Sequence, residues 1–533
     1  MPTRWTAQTW TLVAAVLGSS VVFLDSSVLT VALPAIGKEP RLFVDVLEGQ
    51  NYIYYGYLLT LSALLVLAGA LSDYYGRRRV FIIGLAGFAL TSLLCAIAPN
   101  IEVLIVARLV QGASGAVLVP GSLAILTTSF DGPEQGRAFG IWASASALAP
   151  IIGPFVGGVL VDNLSWRWVF LINLPLIAIA AYAALRYMKE SRDDQASGRF
   201  DWIGALLVAV AVGGLSFGAI YGQQRQWQDP IAFVALGIGA LATVLMPFYF
   251  KRVSNPLVPL WLFKSRNFSV TNLSTLLIYG ALYVLLIFQV LFMQGTLGYS
   301  ATAAGLTSIP GPIFLVLLST RFGAWAGRVG PRWFMTIGPL IMAAGILWLL
   351  RIPADSAPWQ FELGNPASWV PSSGYLIDIL PAQLLFGFGL SIMVAPLTTA
   401  LMRSVPGRVS GLGSAINNAI SRVGPQLAGA LIFIVISASF YGALGAGAPA
   451  LNVTDPQVRS EYQPLNPAPA SADATVAAVV KQSSTDAFHL AMLTAALLLV
   501  AGAAVNGVFI SNRQALAGAE GPHAESAPSA SAG

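Results

Sequence analysis

The sequence predicts an all-α polytopic membrane protein, two six-helix bundles related by duplication with an extra pair of helices between them. Three observations carry that reading. Of 533 residues, 56% are hydrophobic and 10% charged, where a soluble domain holds about 25% charged. Apolar runs close to twenty residues long, the length that crosses a bilayer, recur from end to end. Two collinear stretches of the first half also recur in the second.

Composition excludes several classes. The lone Cys95 allows no intrachain disulfide, and His489 and His523, far apart and without a thiol, do not make a metal site of usual ligand number. No metal or cofactor is expected. The net charge of +5 and the pI near 9.3 invite a nucleic-acid reading, but the basic residues sit in short loops, where they orient helices in a membrane. No GxxxxGK[ST] loop and no nucleophile–base pair is present, so no enzymatic activity is expected.

In chain order a window of roughly 19 residues places spans at 10–34, 49–71, 79–98, 101–127, 136–160, 166–187, 202–221, 230–250, 268–293, 301–321, 332–350, 375–402, 408–440 and 486–511. The first is longer than a signal-peptide core and lacks a small-residue cleavage site, so it reads as a retained helix. With the N-terminus inside, 19 of the 28 Lys and Arg residues fall at cytoplasmic ends and loops and 7 outside, with Arg108 and Arg422 within helices. Both termini are therefore expected in the cytoplasm of a multi-pass cell-membrane protein. The Pro-, Ala- and Ser-rich segment 441–485 is expected outside, and the low-complexity tail 514–533 is expected to be disordered.

The stretch GALSDYYGRRRVFIIG (69–84) aligns with GAWAGRVGPRWFMTIG (323–338), sharing Gly69/Gly323, Gly76/Gly330, Arg78/Arg332 and Gly84/Gly338. A second pair, 137–160 with 408–431, shares Arg137/Arg408, Gly140/Gly411, Gly153/Gly424 and Pro154/Pro425. Duplication pairs helices one to six with nine to fourteen. The expected domains are an N-terminal bundle over 1–190, a linker with helices seven and eight over 191–264, and a C-terminal bundle over 265–513. Helices seven and eight are expected to pack outside the twelve-helix core. Internal repeats of this kind build secondary transporters, with the binding site near the midplane where the halves meet.

Five stretches then carry a resemblance: GALSDYYGRRR between helices two and three, ARLVQGASGAVLVPGSLAIL (107–126), ALAPIIGPFVGG (147–158), LDSSVLTVALPAI (24–36) and SWRWVFLINLP (165–175). Together they resemble the fourteen-helix drug:proton antiporter branch of the major facilitator superfamily. The resemblance implies the major facilitator fold and a proton-coupled antiporter exporting lipophilic, cationic small molecules, a multidrug efflux protein working as a monomer among membrane lipids. Export of an endogenous metabolite, lipid or siderophore is the alternative. The helix 1 stretch departs from the branch pattern at Ser27 and Thr30, where Thr and Asn are usual, which bears on substrate fit.

Residue by residue, Asp25 stands out, because a charge at the bilayer centre costs at least about 2.5–3.5 kcal/mol. Arg108 is its best partner. At about 1.5 Å per residue the two lie roughly 14 and 11 Å from the outer ends of their helices. Asp25 is expected to face a water-filled cavity as the proton-responsive acid; a fixed ion pair joining helices one and four is the alternative. Gly153, Gly157 and Gly158 permit close helix approach and Pro154 a kink, and this segment is expected to seal the cavity floor across the half-to-half interface. Thr30, Tyr57, Gln111, Asn417, Asn418 and Arg422 are candidates for the cavity wall, with Arg422 either lining the cavity or serving a cytoplasmic gate. Tyr52, Tyr54, Tyr55 and Tyr57 form either an interfacial belt or a stacking surface for a flat cation. Asp378 is read as interfacial. Asp73 is expected to dock on the start of helix thirteen or on an arginine of its own loop, and with Gly69, Gly76, Arg77 and Arg78 to latch the halves.

Overall fold

A computed structural model describes residues 6–36, 39, 46–192, 200–225, 227, 229–362, 364–469 and 471–512, the side chains of residues 34, 46–51, 147, 150, 151, 154, 162, 163, 224, 301, 456 and 460 excepted. The tail 514–533 lies outside the described residues. Regular structure among the described residues is helical throughout.

The long helices are α1 (Ala7–Ile36), α2 (Val46–Tyr75), α3 (Arg77–Ala96), α4 (Ile101–Ser129), α5 (Gly132–Asn163), α6 (Trp168–Tyr187), α7 (Trp202–Gln224), α8 (Pro230–Phe250), α9 (Arg266–Leu291), α10 (Pro310–Val329), α11 (Arg332–Trp348), α12 (Leu380–Arg403), α13 (Ser410–Gly447) and α14 (Ala474–Phe509). Among the described residues thirteen of these are long and apolar enough to cross a membrane. The remaining one, α5, runs for 32 residues and packs chiefly between α1 and α10. The protein is a multi-pass membrane protein.

Helix starts follow local chemistry. The Asn100 side chain accepts the Val103 N–H at 2.9 Å to start α4, and Asp473 accepts the Val476 N–H at 2.8 Å to start α14. Gly76 separates α2 from α3 at φ 109°, a backbone region costly for a residue with a Cβ.

Several boundaries differ from expectation. The span expected at 301–321 is broken: a short helix Ala301–Thr307 precedes α10, whose first residue, Pro310, lacks the N–H a continuous helix would use. A wide turn, Tyr375–Ile379, leads into α12 just ahead of Pro381 for the same reason. The segment 441–485 is not all loop. α13 continues to Gly447 and α14 begins at Ala474, its first turns amphipathic, with Val480, Ser483, Ser484, Thr485 and Phe488 buried. Hydropathy alone misses such a stretch because its buried face is partly polar.

The duplication is visible in the packing. Within the first bundle α1 packs on α5 and α6, α2 on α4, and α3 on α4 and α6; within the second α9 packs on α13 and α14, α10 on α12, and α11 on α12 and α14. Each pair has its repeat counterpart. The echoed arginines do the same work: Arg78 donates to the Ala184 carbonyl at the end of α6 (3.2 Å), and Arg332 to the Gly507 carbonyl at the end of α14 (2.7 Å). The halves meet along α2 with α13 and along α5 with α10, themselves repeat equivalents. α7 packs on α8, α2 and α13, outside the bundles but along one seam, and α8 packs chiefly on α7.

One face collects the ends of the described chain. Gln8 donates to the Ser129 carbonyl, Arg403 bridges the Gly132 and Gly327 carbonyls, and Asn512 accepts the Arg332 N–H. This face also carries Arg77, Arg78, Arg79 and Arg408, and is called the basic face below.

Candidate functional site

At mid-depth in the first bundle Arg108 Nη1 donates to Asp25 Oδ2 at 2.5 Å, and both side chains are fully buried. The other carboxylate oxygen accepts Asn173 Nδ2 at 2.8 Å and Gln111 Nε2 at 3.2 Å. Ser92 links the two amides, accepting Asn173 at 2.9 Å and Gln111 at 3.3 Å. Arg108 also donates to Gln111 Oε1 at 2.7 Å and to the Ile53 carbonyl at 3.3 Å, and its guanidinium lies 4.1 Å from the centre of the Tyr57 ring. Helices α1, α2, α3, α4 and α6 all contribute.

This corrects three expectations. Asp25 does not face water in this conformation; its charge is compensated by a cation and two amides. Gln111 and Tyr57, expected on the cavity wall, have no exposed surface. Gln111 belongs to the ion-pair shell, and Tyr57 covers Arg108 while its hydroxyl donates to the Val22 carbonyl at 3.1 Å. Asn173 was not singled out, although it lies in SWRWVFLINLP as an amide within an apolar run. Ser92 carried no sequence signal.

The α5 glycines pack within one bundle, not across the two. A Cβ at Gly153 would lie 2.8 Å from the Ser27 Cβ, and one at Gly157 2.8 Å from the Val28 carbonyl, both on α1, whereas one at Gly158 would meet nothing within 4 Å. The Pro154 side chain lies outside the described residues. What α5 presents to the other half is nearer the basic face: a Cβ on either Gly136 or Gly323 would lie 2.5 Å from the other's carbonyl oxygen.

At the basic face Asp73, 4% exposed, crosses between halves. It accepts the backbone N–H groups of Leu412 at 2.7 Å and Gly411 at 3.0 Å. Arg77 pairs with it at 2.7 Å and donates to the Gly407 and Arg408 carbonyls at 2.6 and 2.8 Å. Gly69 lets α13 close in, for a Cβ there would stand 2.5 Å from the Gly411 carbonyl. Arg78 takes no part in that contact. It holds the α6 end, while Glu190 accepts the Arg78 and Arg79 N–H groups at 3.0 and 3.2 Å beside Gly76. Across the other seam Arg403, one residue past the span expected at 375–402, donates to Gly327 of its own half at 3.1 Å and to Gly132 of the other at 2.8 Å.

The remaining candidates are dispersed. Asn417 donates to Asn272 at 3.1 Å and Thr275 at 2.8 Å on α9, and Asn418 to the Ser414 carbonyl at 2.9 Å of its own helix. Arg422 is half-buried with its guanidinium 5.8 Å from the centre of the Phe23 ring on α1. Thr30 is exposed and donates to the Ser27 carbonyl. Tyr54 and Tyr55 pack edge to face, and Tyr52 is exposed. Asp378 accepts the Ser356 hydroxyl at 2.6 Å in the turn ahead of α12. On the face opposite the basic one, Arg167 makes a two-pronged contact with Glu39 at 3.0 and 3.1 Å. That hydrogen bond, with one from Trp166, holds the Glu39 carboxyl below its ordinary range against the opposing cost of burial.

A family model described as Major Facilitator Superfamily matches residues 15–429. Multidrug resistance protein Stp of Mycobacterium tuberculosis is 32% identical over 432 residues, 81% of this chain and 76% of that protein. Methylenomycin A resistance protein of Bacillus subtilis is 32% identical over 441 residues, 82% of this chain and 89% of that protein. Among solved structures, a double-Trp mutant of XylE superposes with a TM-score of 0.54 at 14% identity, covering 94% of this chain and 98% of its own, a likeness of fold.

Proposed function

This chain belongs to the major facilitator superfamily, and within it we propose that it is a drug exporter, a proton-coupled antiporter that moves lipophilic small molecules outward by alternating access of its two bundles. The relatives' names, a multidrug and an antibiotic resistance protein, support the substrate class. The excess of Lys and Arg supports a cytoplasmic basic face. On that orientation, the contacts of Asp73 and Arg403 belong to a state closed toward the cytoplasm.

The observation that carries the reading is the Asp25–Arg108 pair. A carboxylate kept at mid-membrane is expensive unless it does something, and a titratable acid joined to a cation is a two-state element. Protonating Asp25 breaks the pair and leaves Arg108 with its contacts on α2, the Ile53 carbonyl and the Tyr57 ring. Because α2 makes the seam with α13, the proton's arrival is felt at the interface that must open. Asp73 and Arg77 then act as the cytoplasmic latch, and the Gly153–Ser27 and Gly157–Val28 contacts keep α1 and α5 moving as one body.

The test is transport. Purified protein in liposomes with an imposed pH gradient is expected to move lipophilic dyes against their concentration gradient, with a matching proton flux. If no compound of a cationic, neutral and anionic panel moves with the gradient, the antiporter reading fails.

A further inference from the structure

Arg422 sits eleven residues into α13 beyond Gly411, the residue docked on Asp73, and so about 16 Å into the membrane from that contact. Among the described residues no carboxylate lies within ion-pair distance of it, and its guanidinium faces the Phe23 ring. α1 and α13 do not pack along their lengths, so this guanidinium reaches across the space between the bundles.

Among the described residues every nearby acid is accounted for. Asp25 is occupied by Arg108, Gln111 and Asn173; Asp73 lies at the basic face; Glu102 lies in the first turn of α4 and Asp378 in the turn before α12, both toward the opposite face. The mid-membrane layer, with Asp25, Arg108 and Arg422, carries one net positive charge. Its surroundings are aromatic: Tyr54 and Tyr57 lie within electrostatic range of Arg422, and Tyr283 on α9 within range of Tyr54 and Tyr55.

An unmatched charge held this deep is costly, and the cost is recovered when a complementary charge joins it. We propose that Arg422 is the substrate-recognition residue of the central cavity and that the transported class is the lipophilic aromatic acid, a carboxylate or phenolate on a flat apolar body. This rests on the exporter reading above and replaces the cation that the sequence resemblance leads one to expect. A guanidinium offers a planar pair of donors to such a group, and the partly buried Tyr54, Tyr283 and Phe23 offer faces to its body, Tyr57 being already spent on Arg108. Among the described residues a lipophilic cation would find no free acid here, and it would be repelled by Arg422.

The experiment uses purified full-length protein and two xanthene dyes of like shape and opposite charge, fluorescein and rhodamine 6G, with neutral Nile red as control. Saturable fluorescein binding is expected, weaker by about tenfold or more in Arg422→Gln, the worth of one charge-assisted hydrogen bond. Nile red binding should be unchanged in that variant, which reports that it is folded. Arg422→Lys should recover part of the loss. No saturable fluorescein binding, tighter binding of rhodamine 6G, or equal fluorescein affinity in Arg422→Gln overturns the assignment. The same dyes in liposomes separate the two readings. Export of rhodamine 6G but not fluorescein sinks the anion class and leaves the exporter standing; Arg422-dependent fluorescein binding with no dye transported supports the anion site and sinks the exporter.

Discussion

The Asp73 carboxylate caps the first turn of a helix in the opposite bundle, accepting the Leu412 N–H at 2.7 Å. A negative group there satisfies donors that helix geometry leaves open and meets the positive end of the dipole. Asp73→Asn keeps the shape and loses the charge, so the closed state should weaken by about 1.5–3 kcal/mol, the range for hydrogen bonds to a charged group. Pulsed EPR distances between labels on the α2–α3 loop and the start of α13 should broaden toward longer values. An unchanged distribution would mean that Asp73 latches nothing.

The buried Asp25–Arg108 pair makes a prediction about stability as well as transport. Removing one partner strands the other charge, at a cost of about 3–5 kcal/mol. Asp25→Asn and Arg108→Gln should each lower the midpoint of thermal unfolding in detergent, and the double variant should recover much of it. Uphill transport should be lost in all three. A double variant no more stable than the worse single one contradicts a pairwise interaction. Arg108→Lys should also fail, since an ammonium cannot serve Asp25, Gln111 and the Ile53 carbonyl together while covering the Tyr57 face.

The α5 glycines should respond unequally. Gly153→Leu drives a side chain into Ser27 and the backbone of Val28 and should abolish folded protein by size-exclusion chromatography. Gly158→Ala, with open space around it, should stay within about 0.5 kcal/mol of the parent. Equal damage at both positions would mean that α5 approaches another helix through its whole glycine run.

Glu39 gives a pH signature. Its carboxyl is held below the ordinary 4.5 mainly by the Arg167 hydrogen bond. The folded state therefore binds its proton more weakly than the unfolded chain, so the stabilisation is present above pH 4.5 and fades as pH falls through the depressed value. Both side chains are partly exposed, which limits the effect to about 0.2–1 kcal/mol. Glu39→Gln should lower the unfolding midpoint at pH 7 and not below the folded value. A difference that grows with acidity would have the sign wrong.

Much of this was legible in sequence because charge is rare in such a chain. Asp25 and Arg108 could be paired from their depths, and Asp73 from its place opposite a helix start, since each charge in hydrocarbon needs an explanation. The duplication was legible as glycines and arginines at fixed offsets, and Arg78 and Arg332 prove to hold equivalent helix ends. What was not legible depends on side-chain direction. Gln111 and Tyr57 are polar residues on inward helices, and sequence does not tell a cavity wall from the shell of an ion pair. The partner chosen by Gly153 and Gly157 was hidden because a small residue says that something is close and not what. Asn173 lay in view, but an amide within an apolar run does not say which way it points until its neighbours are known.

Arg403 answers a question raised by the repeat. The position matching Asp73 in the second half is Gly327, so α10 carries no acid at the equivalent point of the α5–α10 seam. Arg403 reaches that point from α12 and ties the Gly327 carbonyl to the Gly132 carbonyl of the other bundle. One seam is thus held by an anion on backbone donors and the other by a cation on backbone acceptors, and these two sets of contacts lie on different helices. Ties that share no partner add within about 0.3–0.5 kcal/mol. Arg403→Gln should therefore loosen the basic face on its own, and combined with Asp73→Asn should shift the closed–open equilibrium by the sum of the two free energies. EPR distance populations for the parent, both single variants and the double variant measure this directly. A double variant no more open than Asp73→Asn alone would show that Arg403 fastens helices within its own half and leaves the seam to the glycines.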